Sequence, residues 1–270
     1  MCLLELKCLG KQYFLHFIII HQLFQTIVAL ALLLFLFRIR ILIIKNEKMR
    51  KLIFALPALF LLASCGGSSN NTATTTEQTV AEQKGESYIV DSVTTVVDWK
   101  GAHKGGLAPR WGKIKVALGT IAVENDSISG GEFLIDMASL SVDPASVTEE
   151  GKKATDLEGH LKSADFFDVE KAPNAKFVIT KVEPYTTAAG ASLIADPNYL
   201  ISGNLTLKDK TLNVTFPAKV AVSATSVTAT AKFVIDRSAW GINYKTEGSA
   251  ENWMISKDVE IGFTLSAHKN

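Results

Sequence analysis

The run Val227-Thr228-Ala229-Thr230-Ala231-Lys232-Phe233-Val234-Ile235-Asp236 decides the fold. Val227, Ala229, Ala231, Phe233 and Ile235 share one side of an extended chain. Thr228, Thr230, Lys232 and Asp236 share the other, with Val234 as the exception. A period of two is that of a strand with one buried face. Outward from this run the same pattern repeats. Val259, Ile261, Phe263 and Leu265 oppose Glu260, Gly262, Thr264 and Ser266. Val214, Phe216, Ala218, Val220 and Val222 line up with Lys219 opposite. Further strands are expected at 87–91, 94–99, 111–119, 121–125, 128–137, 175–184 and 199–208. Turn-forming groups separate them: Glu124-Asn125-Asp126, Asp196-Pro197-Asn198 and Lys208-Asp209-Lys210. Many strands without helical blocks between them give an all-β class, an antiparallel barrel or sandwich. Only 144–171 departs. Ser146-Val147-Thr148-Glu149-Glu150 has the cap and early acids of a helix start, so a short helix is expected there and another near 160–168.

Upstream of these strands the chain is a different material. The full chain has 270 residues, a net charge of +1 and 47% hydrophobic residues. Residues 1–64 hold 8 Lys and Arg against 2 Asp and Glu, and 7 of the 14 Phe. The remainder carries 20 basic and 25 acidic residues, a charge of −5. That balance gives no electrostatic footprint for nucleic acid. Met49-Arg50-Lys51, the apolar stretch 52–62 and the small residues after it have the pattern of a secretory signal, and Leu62-Ala63-Ser64-Cys65 resembles a bacterial lipobox. The expected mature chain starts at an acylated Cys65, with 49–64 as the lipoprotein signal peptide. Residues 1–48 are read as an upstream extension before the true start at Met49. The alternative is a transmembrane helix, since Tyr13–Phe37 has no Asp, Glu, Lys or Arg and is long enough to span a bilayer. Residues 66–86 lack aromatics and periodicity and are expected to be a flexible tether. The folded domain is placed at 87–270. An acyl tether is superfluous on a barrel that itself spans the membrane, so the apolar strand faces are expected to point inward.

Two runs within the domain are distinctive. Gly159-His160-Leu161-Lys162-Ser163-Ala164-Asp165-Phe166-Phe167-Asp168 is the first, followed by Pro173 and Phe177. Gly203-Asn204-Leu205-Thr206-Leu207-Lys208 and Pro217 come later, and then Asp236-Arg237-Ser238-Ala239-Trp240-Gly241. In this order, across roughly 87–268, they resemble the YceI-like family of bacterial periplasmic proteins. The resemblance implies a single lipocalin-like antiparallel barrel with a hydrophobic tunnel that binds a polyisoprenoid chain, such as a quinone tail, or a related amphiphile. It implies no catalytic activity. The chain departs from the family pattern at Leu157-Glu158-Gly159, at Asp209-Lys210-Thr211-Leu212 and in the length of 186–199. Those departures bear on the head-group end of the tunnel more than on its bore.

Alternation and motif position name the candidate ligand-binding residues: Phe133, Ile135, Phe177, Ile179, Leu205, Phe216, Ala229, Ala231, Phe233, Ile261 and Phe263, with Phe166, Phe167 and Trp240 near an opening. Each also has a structural reading. Ala229 and Ala231 either leave a cavity or make room for a large neighbour. His160 is expected to bond its own loop, Asp165 and Asp168 to form caps or turns, and Asp236-Arg237 to be an ion pair or a turn device. Trp240 is core or rim, and Trp111 covers one barrel end. No Gly-x-Ser-x-Gly, His-Glu-x-x-His or phosphate loop is present. The expectation is therefore a non-enzyme with no cofactor and no metal site, beyond a bound polyisoprenoid or quinone-like lipid. Its partners would be that lipid and the membrane, reached through the acyl anchor in the periplasm, on the outer membrane; a homodimer is left open. The rival reading is an interaction module, a filled barrel that binds a partner protein.

Overall fold

The computed structural model describes residues 73–186, 191–246 and 254–270. The expectations for Cys65, the signal 49–64 and residues 1–48 lie outside these residues. Ten strands form one sheet. They are β1 (Ala73–Thr76), β2 (Glu86–Val90), β3 (Val96–Gly101), β4 (Arg110–Glu124), β5 (Ser127–Val142), β6 (Asn174–Pro184), β7 (Tyr199–Leu207), β8 (Lys210–Val222), β9 (Ser226–Asp236) and β10 (Asp258–Lys269). Among the described residues one α-helix, α1 (Ala154–Lys162), stands between β5 and β6.

Every pairing is antiparallel, and from β4 to β10 each strand pairs with the next. The circuit closes because β2 and β3 share one place between β10 and β4. β3 takes Glu260–Thr264 of β10, and β2 takes Ala267–Lys269. The result is a closed antiparallel barrel of eight strand positions, the all-β lipocalin-like class expected. Closure removes the unpaired edges that an open sheet would offer to other chains. The Asn125-Asp126 turn joining β4 to β5 has φ of 52° and 59°. Two left-handed residues in a row match the twist of the flanking strands.

Three expectations differ in detail. The strands expected at 111–119 and 121–125 are one strand, β4, whose register shifts at Lys113/Lys115, Val116/Leu118 and Ala122/Val123. The shift at Val116/Leu118 puts its extra residue in β4 and breaks the period of two, so Leu118 faces solvent while Ile121 stays buried. No helix starts at Ser146, and the one expected near 160–168 is α1, which starts earlier and ends at Lys162. Pro144–Ser146 is a single 3-10 turn, with Asp143 accepting from the Ala145 N–H. Glu149 pairs with Arg110 instead of capping a helix, and 163–168 is a series of turns. The third difference is the tether. From residue 73 it is bound to the barrel: β1 pairs with Leu212–Thr215 of β8, and the segment after it crosses β7, β6 and β5.

That crossing has a polar footing. Asn204 on β7 and Asn213 on β8 are buried although they alternate with inward-facing neighbours. Asn204 accepts from the Gln78 N–H at 3.0 Å and donates to the Gln78 carbonyl at 2.7 Å. Asn213 donates to Asn204 at 3.0 Å and to Thr180 at 2.9 Å. Further along, the Ala81 N–H donates to the Ile179 carbonyl, and Lys84 and Ser129 exchange two hydrogen bonds. Residues 73–84 are thus a strap over the outside of the barrel.

Candidate functional site: the barrel interior

Inward parity carries five phenylalanines into the lumen from five strands. Phe133 and Phe177 have ring centroids 6.1 Å apart, and Phe177 and Phe216 are 5.8 Å apart. Phe216 stacks on Phe233 at 4.1 Å and meets Phe263 edge-on at 5.8 Å. Such pairs add about 0.5–1.5 kcal/mol each beyond their buried area. The rings do not fill the barrel. A cavity of about 220 Å³ runs among them, with Ile114, Ile128, Ile201, Leu207 and Leu265 also in its wall. Thr95, Arg237 and Ser256 are its few polar contributors.

The structure gathers all the named candidates into this wall except two. Ala231 is buried but faces Ala218 and Phe263 across the ladders, so it fills the wall instead of lining the void. Trp240 is also buried, and its Nε1 donates to the Leu205 carbonyl at 3.0 Å. Its indole does not reach the cavity. Phe166 and Phe167 both line the cavity, although neighbours in sequence rarely face the same way. They manage it because 163–168 is wound in turns, with Asp168 at φ 49°.

One end is shut. Tyr88 reaches across from β2, and its hydroxyl donates to the Ser223 carbonyl at 3.0 Å in the β8–β9 turn. The α1 end opens into a second pocket of about 380 Å³. Trp99, Gly101, Leu161, Phe166 and Ile255 line both spaces. The outer one adds polar groups: His103, Arg110, Glu149, Lys152, Lys153, Asp156 and His160. Arg110 pairs with Glu149 and donates to the Ser146 carbonyl at 2.8 Å. Hydrogen bonding to Arg110 holds the Glu149 carboxyl below the ordinary carboxylate range. His160 bonds Asp165 at 2.9 Å and stands edge-on to Phe166 and Tyr244. Its role is to fix the mouth segment, as the structural reading expected. Glu158, at the departure from the family pattern, accepts from the Val142 N–H and ties α1 to β5. Trp111 lies on the outer face of β4, not over a barrel end.

Arg237 is the functional-site residue that sequence reasoning misplaced. It is 5% exposed, and among the described residues it pairs with no carboxylate. Nε donates to Ser256 O at 3.0 Å, Nη1 to Ile242 O at 2.6 Å, and Nη2 to Tyr244 O at 2.8 Å and Ile255 O at 3.1 Å. Its guanidinium also lies 5.7 Å from the Phe166 ring centre. Burial pushes its pKa down, and the nearby Asp236 charge opposes that. Of the two expectations for Asp236-Arg237, the ion pair is not made and the turn device is, with Asp236 capping the 3-10 turn Arg237–Trp240. Asp236 accepts from the Ser238 N–H and hydroxyl and pairs with Lys257. Burial alone would raise the Asp236 pKa, but the bonds from Ser238 and Lys257 outweigh it and hold the carboxyl low. Parity held the signal, since 229, 231, 233 and 235 point inward and 237 continues the series. No nucleophile is poised beside a base here, and among the described residues no group of His, Cys, Asp and Glu gathers as a metal site.

A protein-family model described as a YceI-like domain matches residues 88–267. Among solved structures, the chain is similar to BcnA of Burkholderia cenocepacia, with 24% identity, 66% of this chain and 98% of that one covered, and a TM-score of 0.48. It is also similar to a polyisoprenoid binding domain from Saccharophagus degradans implicated in plant cell wall breakdown, with 15% identity, 68% and 98% covered, and a TM-score of 0.45. A third is a Campylobacter jejuni YCEI protein, with 13% identity, 79% and 99% covered, and a TM-score of 0.40. No curated protein matches the chain.

Proposed function

The chain belongs to the YceI-like family, and from that membership and its cavity we propose that it binds the hydrocarbon tail of an isoprenoid lipid, or of a similar amphiphile, inside the barrel. The observation that carries this reading is the apolar void of about 220 Å³ inside the barrel, with a polar pocket adjoining it at the α1 end. A filled interaction module would leave no such space. The tail needs no charged partner, because each buried methylene contributes about 0.8 kcal/mol gross. The polar pocket gives the head group a place where its hydrogen bonds need not be broken. No catalytic step is assigned. The barrel would act as a carrier or store, held on the periplasmic side of the outer membrane by an acylated Cys65.

Native mass spectrometry of protein purified without detergent exchange, followed by solvent extraction, tests the first half. A bound lipid of defined mass is expected; a barrel that is empty and takes up no added prenyl alcohol would remove the carrier reading. Mass spectrometry of the mature N-terminus tests the second half, and residues retained ahead of Cys65 would remove the anchor.

A further inference from the structure

Gly203 sits in the middle of β7, and its backbone has no need of glycine, because its φ lies outside the left-handed region. What occupies its missing side chain is Phe177. A Cβ on Gly203 would lie 2.1 Å from Phe177 Cζ and 2.4 Å from Cε2. Phe177 pairs with Leu205 in the ladder, and Ile179 pairs with Gly203, so the two residues are diagonal neighbours on the inner face. The far edge of the ring therefore lies down on the β7 wall, in space that any other residue at 203 would fill.

We propose that Gly203 is a specificity-determining residue that sets the bore of the cavity by giving the Phe177 ring a bed in the wall. This rests on the reading of the barrel as a lipid binder and extends it to which tails can enter. The atoms that a new Cβ would meet are the tip of a side chain and not backbone, so the ring can yield while the strand stays paired. Its way out is into the lumen, between Phe133 and Phe216, whose centroids stand 6.1 and 5.8 Å from its own. A void of about 150 Å³ holds one benzene. A ring swung into a cavity of about 220 Å³ would therefore take more than half of it. Phe177 stands near the α1 end of β6, and Ile179 on β6 and Ile201 on β7 lie deeper. A displaced ring would close the way to that deeper half, so long tails would be rejected and short ones kept.

The test compares geranylgeraniol with the shorter geraniol, binding to the delipidated full chain by calorimetry. Gly203→Ala should lower affinity for geranylgeraniol at least about tenfold, the equivalent of fewer than two buried methylenes, and change geraniol binding far less. Gly262→Ala is the control. That residue is also in mid-strand, but its new Cβ meets nothing nearer than 3.7 Å, so binding should be unchanged. Gly203→Ala combined with Phe177→Ala should regain the long alcohol, because the obstructing ring is gone. Wild-type affinity in Gly203→Ala, or no recovery in the double variant, would overturn the proposal. If Gly203→Ala does not fold, the comparison moves to the Phe177→Ala background, where adding Gly203→Ala should cost no binding and a loss would overturn it. Binding of neither alcohol by the wild type would instead count against the lipid-binding reading itself.

Discussion

Ala229 and Ala231 lie two residues apart on the same face of β9, yet only Ala229 borders the void. The difference turns an ambiguous pair into a test. Ala229→Phe has free volume to enter, so the barrel should keep its stability within about 1 kcal/mol and lose lipid binding. Ala231→Phe has Ala218 and Phe263 against it and should cost about 1–3 kcal/mol by overpacking. Urea unfolding of the two variants, set beside lipid uptake, measures both effects; equal destabilisation by the two would mean the barrel is filled. Arg237 is the second residue whose environment dictates a number. Four backbone carbonyls depend on its fork, and a lysine ammonium cannot reach them in the same geometry. Arg237→Lys should therefore destabilise by about 2–4 kcal/mol, since each buried carbonyl left without a donor costs about 1–3 kcal/mol. Thermal melts give the value, and a loss near zero would show that water replaces the fork.

At the scale of elements, how readable the chain was depends on what each element uses as its partner. β8, β9 and β10 bury one apolar face, so their period of two shows in sequence and their expected limits agree with the observed ones to within a few residues. β4 hides behind its irregularities: Leu118-Gly119-Thr120 reads as a break, although the chain continues as one strand. The strap at 73–84 was not readable at all. It docks through amides, Asn204 and Asn213, and through backbone, and a polar dock leaves no hydrophobic pattern in the segment that binds. Composition alone made it a linker. The cavity wall was readable because it is the sum of inward parities, whereas Ala231 shares that parity and differs only in what stands opposite it, and Trp240 lies in the 3-10 turn after β9, where strand parity does not run. The strap's dependence on one side chain also predicts its behaviour. Asn204→Ala should cost about 1–2 kcal/mol and strip hydrogen-exchange protection from the Gln78 and Ala81 amides first. Protection within β7 should persist. A uniform loss across the barrel would mean that strap and barrel open together, not as separate units.

For the whole molecule, the cavity is a cost that the fold carries and a ligand can relieve. Voids in protein cores cost about 24 cal/mol per Å³ in large-to-small substitution series, so about 220 Å³ left empty amounts to roughly 5 kcal/mol. Water is no remedy, because an apolar space offers it too few hydrogen-bond partners. The barrel tolerates the void because closure pairs the backbone all the way round and Tyr88 ties β2 to the β8–β9 turn. Stability and occupancy are therefore linked. A ligand that binds only the folded barrel adds about 2.7 kcal/mol when present at a hundred times its Kd. For a domain of this size each kcal/mol moves the melting temperature by about 2–4 °C. Saturating a delipidated barrel with a prenyl alcohol should then raise Tm by roughly 5–10 °C, and the rise should grow with the logarithm of ligand concentration. The Ala229→Phe barrel, with its cavity already occupied, should begin from a similar Tm and show little further rise. Scanning calorimetry across a ligand titration checks both parts. An unchanged Tm in the wild type would mean that the alcohol does not bind the folded barrel, and an equal rise in Ala229→Phe would mean that the void is not where it goes.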